Sequence, residues 1–230
     1  MIGRRPVLSD WPGALSLAVY IAGFSLAYLS RGAGTGALIL FASVQATILA
    51  VGYARGDTLT LPGWLGLGVA ISGLIVLLAP DGEAVNPAAA LLMAIAGIAW
   101  GAYTLIGRGR DDASGRTARS FLLATPLVVP MLWLDSGTSA QLVTASFNGA
   151  VLAVVSGAVT SGLGYVVWYK LIPRLGLATV ASVQLATPAV AALGGAALLS
   201  EPLGWRLLAG GALILGGIVL TLVRPRAKPG

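Results

Sequence analysis

Apolar residues run along this chain in long blocks, and the polar positions gather between the blocks. Eight blocks stand out, at about 14–30, 34–54, 62–79, 88–106, 119–134, 149–169, 176–199 and 205–223. At a rise of about 1.5 Å per residue, about 20 such residues cross a hydrocarbon layer of about 30 Å. Each block therefore predicts a transmembrane helix. The links are short and punctuated by Gly32 to Gly36, Pro62-Gly63, Pro80 to Pro87, Pro173 and Pro202-Leu203-Gly204, which predicts neighbouring helices joined as hairpins. The block at 119–134 is the weakest, because Pro126 and Pro130 interrupt it and predict a kink or a locally thinned bilayer. The stretch from Gly176 to Leu199 carries no charge, yet it places Gln184 near mid-membrane and Pro188 one turn later. An amide and a helix breaker at that depth need a reason, and a ligand site is one.

Composition sharpens this into an all-α polytopic membrane protein. Hydrophobic residues make up 57% of the 230 and charged residues 10%, with a mean hydropathy of +0.90. Soluble domains carry about a quarter charged residues. There is no cysteine and no histidine, which excludes disulfides, thiol nucleophiles, histidine metal sites and imidazole proton relays. No metal site and no cofactor is expected. The net charge of +6 reflects loop residues sorted by topology rather than nucleic-acid binding. With the N-terminus inside, Arg4, Arg5, Arg55, Arg108, Arg110, Arg116, Arg119, Lys170, Arg174, Arg224, Arg226 and Lys228 are cytoplasmic, and only Arg31 and Arg206 lie outside. That asymmetry predicts a multi-pass protein of the inner (cytoplasmic) membrane with both termini cytoplasmic, and reads Arg4 and Arg5 as flanking a first membrane helix rather than a cleaved signal.

An internal echo points to a repeat. Ala42-Ser43-Val44-Gln45 recurs as Ala181-Ser182-Val183-Gln184, 139 residues on, with Gly23 over Gly162, Arg31 over Lys170 and Leu38 over Leu177. Farther along, Gly73 to Leu77 matches Gly216 to Leu220 once four more residues are allowed. The offset spans five helices. An odd number inverts the second copy, as in many secondary transporters, so the chain is expected to divide into a partial repeat of three helices at 1–80 and a five-helix repeat at 87–224.

These residues resemble the drug/metabolite transporter superfamily, the EamA-like permeases built from two inverted five-helix repeats. The resemblance is carried by Gly34 to Gln45, Ala94 to Arg108, Ser156 to Gly176 and Val183 to Gly217, with Pro188 and Glu201-Pro202 in the expected order. Two features depart from the pattern. The chain starts where the third helix of such a permease would be, and Leu49 stands where the first repeat would match Pro188. The absent pair would form part of the wall around a central cavity.

No Asp, Glu, Lys or Arg falls well inside a block, so an intramembrane carboxylate of the kind a proton-coupled cation exporter uses is not expected. Gln45 and Gln184 are candidate solute ligands, since each amide offers two donors and an acceptor; the alternative is a hydrogen bond tying neighbouring helices. Trp100 and Tyr103 lie three apart on the fourth span, and Tyr165, Trp168 and Tyr169 share a side of the sixth. Trp100, Tyr103, Tyr165 and Trp168 are candidates for an aromatic wall, against an interfacial belt as the plainer reading. Pro188 has no N–H for the carbonyl of Gln184, which becomes either a ligand contact or a packing kink. Ser161, Gly162 and Gly164, with Gly97 and Gly101, are expected to serve close helix packing.

The leading functional expectation is a secondary transporter of a small organic solute working by alternating access, without ATP, since no GxxxxGK[ST] loop occurs. The alternative is a truncated or non-transporting helical protein that needs a partner chain. The expected partners are the lipid bilayer and the solute, and a homodimer is compatible with this plan. An enzyme is not expected, as no paired carboxylates, serine–base pair or metal ligands occur inside the spans.

Overall fold

The computed structural model describes residues 8–28, 33–78, 86–107, 112–130, 146–199 and 204–222, and these are helical apart from turns and caps. The helices are α1 (Trp11–Tyr28), α2 (Ala33–Ala54), α3 (Leu61–Leu78), α4 (Pro87–Gly107), α5 (Ala113–Val128), α6 (Phe147–Val154), α7 (Gly164–Leu171), α8 (Leu177–Gln184), α9 (Ala186–Leu199) and α10 (Trp205–Leu222). A π-helical stretch, Val155–Leu163, joins α6 to α7 into the sixth span. Among the described residues, five helical stretches are long and apolar enough to cross a membrane: Gly36–Ala54, Leu61–Leu78, Pro87–Gly107, Phe147–Arg174 and Trp205–Leu222. The protein is an all-α polytopic membrane protein. Its outer faces carry exposed Leu61, Leu65, Ile75, Ile98 and Leu208, which only a lipid solvent matches.

The fourth span is the centre of the bundle, and its glycines decide how. A side chain at Gly97 would run into the Leu40 carbonyl and Ser43, and one at Gly101 would stand 2.8 Å from Thr47, so α2 lies directly on this face of α4. On another face α1 comes equally close, with Gly23 3.0 Å from the Leu92 carbonyl as a Cβ would see it. A helix flanked this way buries Met93, Ala96, Tyr103 and Leu105 at 5% exposure or less. The packing expected of Gly97 and Gly101 is present. Among the described residues no helix packs on Gly162 or Gly164: nothing described lies within 4 Å of a Cβ at Gly164, and Gly162 meets the carbonyl of Gly157 in its own helix at 3.8 Å. Every side chain described from Ser146 to Val159 is exposed.

The third and last helices pack through a self-complementary seam. A Cβ at Gly66 would sit 2.6 Å from the Gly217 carbonyl, and one at Gly73 would sit 2.6 Å from that of Gly210. Reciprocally, Gly210 faces the carbonyl of Gly73 at 2.8 Å. The helices run antiparallel, and exchanging Gly66 with Gly210 and Gly73 with Gly217 maps the contact onto itself. This register is 144 residues, one more than the sequence match of Gly73 with Gly216 implies.

The fifth helix begins earlier than its hydropathy indicates. Asp112 caps it, accepting from the Gly115 N–H at 3.2 Å, so Arg116 lies in the first turn of α5 rather than ahead of it, and Arg119, the first residue of the apolar block, lies in the second. Pro126 sits inside the helix. Arg31, the loop at 80–85 and Glu201-Pro202 lie outside the described residues.

Candidate solute site

The expected break in the seventh span is present and has a specific structure. Proline lacks the N–H that would bond the carbonyl four residues back, and its ring crowds that carbonyl. The helix accordingly stops at Gln184, passes through Leu185 and resumes at Ala186. At the break the Leu185 N–H turns to the Ser182 carbonyl at 3.0 Å, three residues back. The Ala181 carbonyl thereby loses its usual i+4 partner. Gln45 replaces it: its Nε2 donates to the Ala181 carbonyl at 2.9 Å from α2, with the glutamine 2% exposed. The first glutamine thus closes the gap that the break at Leu185 leaves at Ala181.

The second glutamine faces elsewhere. Gln184 Oε1 accepts from the Trp100 indole N–H at 2.6 Å, and its Nε2 donates to the Val180 carbonyl at 3.4 Å. Trp100 is the hub of an aromatic cluster. Its ring lies 4.6 Å from Tyr20, 5.8 Å from Tyr103 and 5.8 Å from Tyr165, centroid to centroid. Tyr103 stands edge-on to Tyr165 at 6.1 Å and to Tyr169 at 5.9 Å, while Phe121 of α5 meets Tyr165 at 5.5 Å. These separations fall in the range that aromatic pairs prefer. The rings fill the centre of the cluster in this conformation.

Of the residues singled out in the sequence, the structure brings Trp100, Tyr103, Tyr165 and Gln184 together. Trp168 packs half-buried at the edge of the same core, and Pro188 sits in the first turn of α9. Gln45 is one helix away, against α8. Tyr169, placed beside Tyr165 on the sixth span in the sequence, donates its hydroxyl to the Tyr103 carbonyl at 3.3 Å, and two members are additional: Tyr20 and Phe121. Tyr20 carried a usable signal, since a tyrosine at the seventh position of an apolar block needs a partner for its hydroxyl.

An apolar bundle around a proline-broken helix, with one amide offered to an aromatic cluster, is a polytopic membrane protein with a polar and aromatic interior. The EamA-like transporter family matches residues 87–223, and the chain belongs to it. It is 46% identical to an uncharacterized protein of Pseudomonas aeruginosa, over 94% of this chain and 74% of that one. It is 26% identical to an uncharacterized transporter of Archaeoglobus fulgidus, over 98% of this chain and 82% of the other. A probable amino-acid metabolite efflux pump of Salmonella typhimurium is 25% identical, over 85% and 69%. A solved crystal structure shares the fold with a TM-score of 0.79 at 19% identity, covering 95% of this chain and 77% of that one. The protein is therefore a membrane transporter of the drug/metabolite type, seated in a lipid bilayer.

Proposed function

We propose that the protein is a secondary transporter that carries a small neutral or zwitterionic metabolite by alternating access, and that the solute binds among Trp100, Tyr103, Tyr165 and Gln184. The observation that carries this reading is the 2.6 Å bond from Trp100 to Gln184 Oε1 beside the helix break. That bond holds the amide of Gln184 toward the aromatic rings. A solute N–H can take the place of the indole at Oε1, and exchanging one hydrogen bond for another costs little net free energy. The residues of this cluster, Tyr20, Trp100, Tyr103, Phe121, Tyr165, Tyr169 and Gln184, carry no formal charge, so a strongly ionic solute would bind among them without a direct counter-charge. An amino-acid-like solute fits best. The name of the Salmonella relative, a probable amino-acid metabolite efflux pump, points the same way.

Two observations support the mechanism. The reciprocal contact of Gly66 and Gly73 with Gly217 and Gly210 is what two inverted repeats would produce where their last helices meet. Five of the six described basic residues, Arg55, Arg116, Arg119, Lys170 and Arg174, fall at one end of the bundle, the end where Gly52 meets Leu177 and Gly107 meets the Tyr169 ring. We assign that end to the cytoplasm of the inner membrane. Reconstituted vesicles tested with a panel of amino acids, sugars, nucleosides and cationic drugs should show flux of an amino-acid-like solute, lost in Trp100→Ala with the protein still folded. Flux confined to a cationic drug would refute the site.

A further inference from the structure

Helices α1 and α5 meet through charge at the basic end and part farther along. Asp10, the residue ahead of α1, has a side chain with no exposed surface, and Arg119 of α5 donates to it twice, from Nε to Oδ2 at 2.7 Å and from Nη2 to Oδ1 at 3.5 Å. The same guanidinium reaches Asp112 Oδ2 through Nη1 at 3.1 Å. Arg116 lies 4.0 Å from Asp10 and donates to the Ser9 carbonyl at 2.6 Å. One turn deeper the helices touch: a Cβ on Gly13 would stand 2.9 Å from Ser120 Oγ and 3.7 Å from the Tyr103 ring. Beyond that an open apolar depression of about 200 Å³ lies between them, lined by Ile21, Phe121, Ala124, Thr125, Val128 and Val129. Phe121 belongs to both regions, touching Tyr165 of the aromatic cluster. Between α1 and α5, the way from the basic end to that cluster is shut by Asp10 with Arg119 and by Gly13 against Ser120.

We propose that the Asp10–Arg119 pair, with Arg116 and Asp112, is the gate at the basic end, broken when α1 leaves α5 to expose the cluster to that side and remade when the cluster faces the other. This rests on the transporter reading above. The chemistry suits a contact that must open. A buried ion pair adds little net stability because desolvation offsets its attraction, and separated partners at an aqueous end recover their hydration. An apolar seal of the same area would have to expose itself to water on every cycle. Asp112 gives Arg119 a partner to keep while Asp10 is released.

The native chain has no cysteine, so engineered ones report alone. Gly13→Cys with Ser120→Cys in the full-length reconstituted protein places two thiols at the closest approach. Oxidation to the disulfide should abolish flux and reduction should restore it. Undiminished flux through fully cross-linked protein would overturn the gate. Ser120→Cys alone gives a reading that needs no transport, through its rate of alkylation by N-ethylmaleimide in membranes. Adding Asp10→Asn or Arg119→Gln should speed that alkylation roughly tenfold as the closed population loses its charge-assisted bonds. A fixed staple would lower the unfolding temperature and leave the rate in folded protein unchanged, which also overturns the proposal. If wild-type protein carries no solute at all, the transporter reading falls and the alkylation rates alone decide whether α1 opens from α5.

Discussion

Replacing Gln45 by leucine should destabilise the fold through a carbonyl 136 residues away. The Ala181 carbonyl is left without its helical partner by the break at Leu185, and Gln45 Nε2 at 2.9 Å stands in for it. Leucine keeps the apolar bulk and removes the donor, so Ala181 is left a buried acceptor with nothing to accept, at a cost of about 1–3 kcal/mol. Two effects reduce the figure. Gln45 Oε1 is itself buried without a partner among the described residues, so its removal relieves a second unsatisfied atom. Interhelical hydrogen bonds in membranes also average only about 0.6 kcal/mol, because the unfolded state finds other partners. A loss of about 1–2 kcal/mol is the expected outcome, read as a shift in the denaturant midpoint of the detergent-solubilised protein. The sharper test is a double-mutant cycle with Pro188→Ala. Alanine restores an N–H at 188 and removes the ring that crowds the Gln184 carbonyl, allowing Leu185 to bond back to Ala181. In that background Gln45→Leu should cost markedly less, giving a coupling of about 1 kcal/mol. Additive effects would refute the substitution of glutamine for the missing backbone bond.

Three other outcomes follow. Trp100→Phe keeps the ring and removes the competitor for Gln184 Oε1, so the KM of a transported solute should fall or hold, whereas Gln184→Leu should raise it roughly tenfold through the loss of about 1.4 kcal/mol of binding; the reverse ordering in flux assays would remove Gln184 from the site. Gly73→Val would drive a side chain toward the Gly210 carbonyl and the Ile214 N–H, 2.6 and 2.7 Å from its Cβ, so it should destabilise the seam of α3 and α10 by about 1–3 kcal/mol or more, seen in denaturant titration. Cysteine at Asn86 should react with an impermeant thiol reagent applied outside intact cells, while cysteine at Thr58, three residues past Arg55, should not; the opposite pattern would invert the orientation.

What could be read in advance follows from the range of the forces involved. Spans depend on hydropathy summed over about 20 residues, a local quantity, and the blocks at 34–54, 62–79 and 88–106 match α2, α3 and α4 within a residue or two. The break before Pro188 was legible for the same reason, since a proline acts on a carbonyl four residues back. The start of α5 was not, because Arg116 and the polar residues ahead of Arg119 read as a charged loop until the Asp112 cap is seen. Glycine spacing proved ambiguous. It marks where a helix could approach closely and does not say that one does, so Gly97 and Gly101 found α2 while Gly164 found nothing. The pairings that build the site, Gln45 with Ala181 and Trp100 with Gln184, join residues 136 and 84 apart and depend on packing that no local pattern encodes.

The two glutamines share a four-residue motif and yet do different work, and a single departure from the repeat accounts for the difference. Where the later copy has Pro188, the earlier has Leu49, which retains its N–H. Helix α2 therefore runs unbroken from Ala33 to Ala54, and the carbonyl of Ala42, matched to that of Ala181, keeps its bond within the helix. In α8 the break orphans the Ala181 carbonyl, which draws Gln45 across. No orphan in α2 draws Gln184 in return, so its amide turns to Trp100 and the aromatic cluster. On this reading the asymmetry that frees one polar group for a solute arises from the proline, and putting a second proline at Leu49 would be expected to pull Gln184 away from the cluster toward α2.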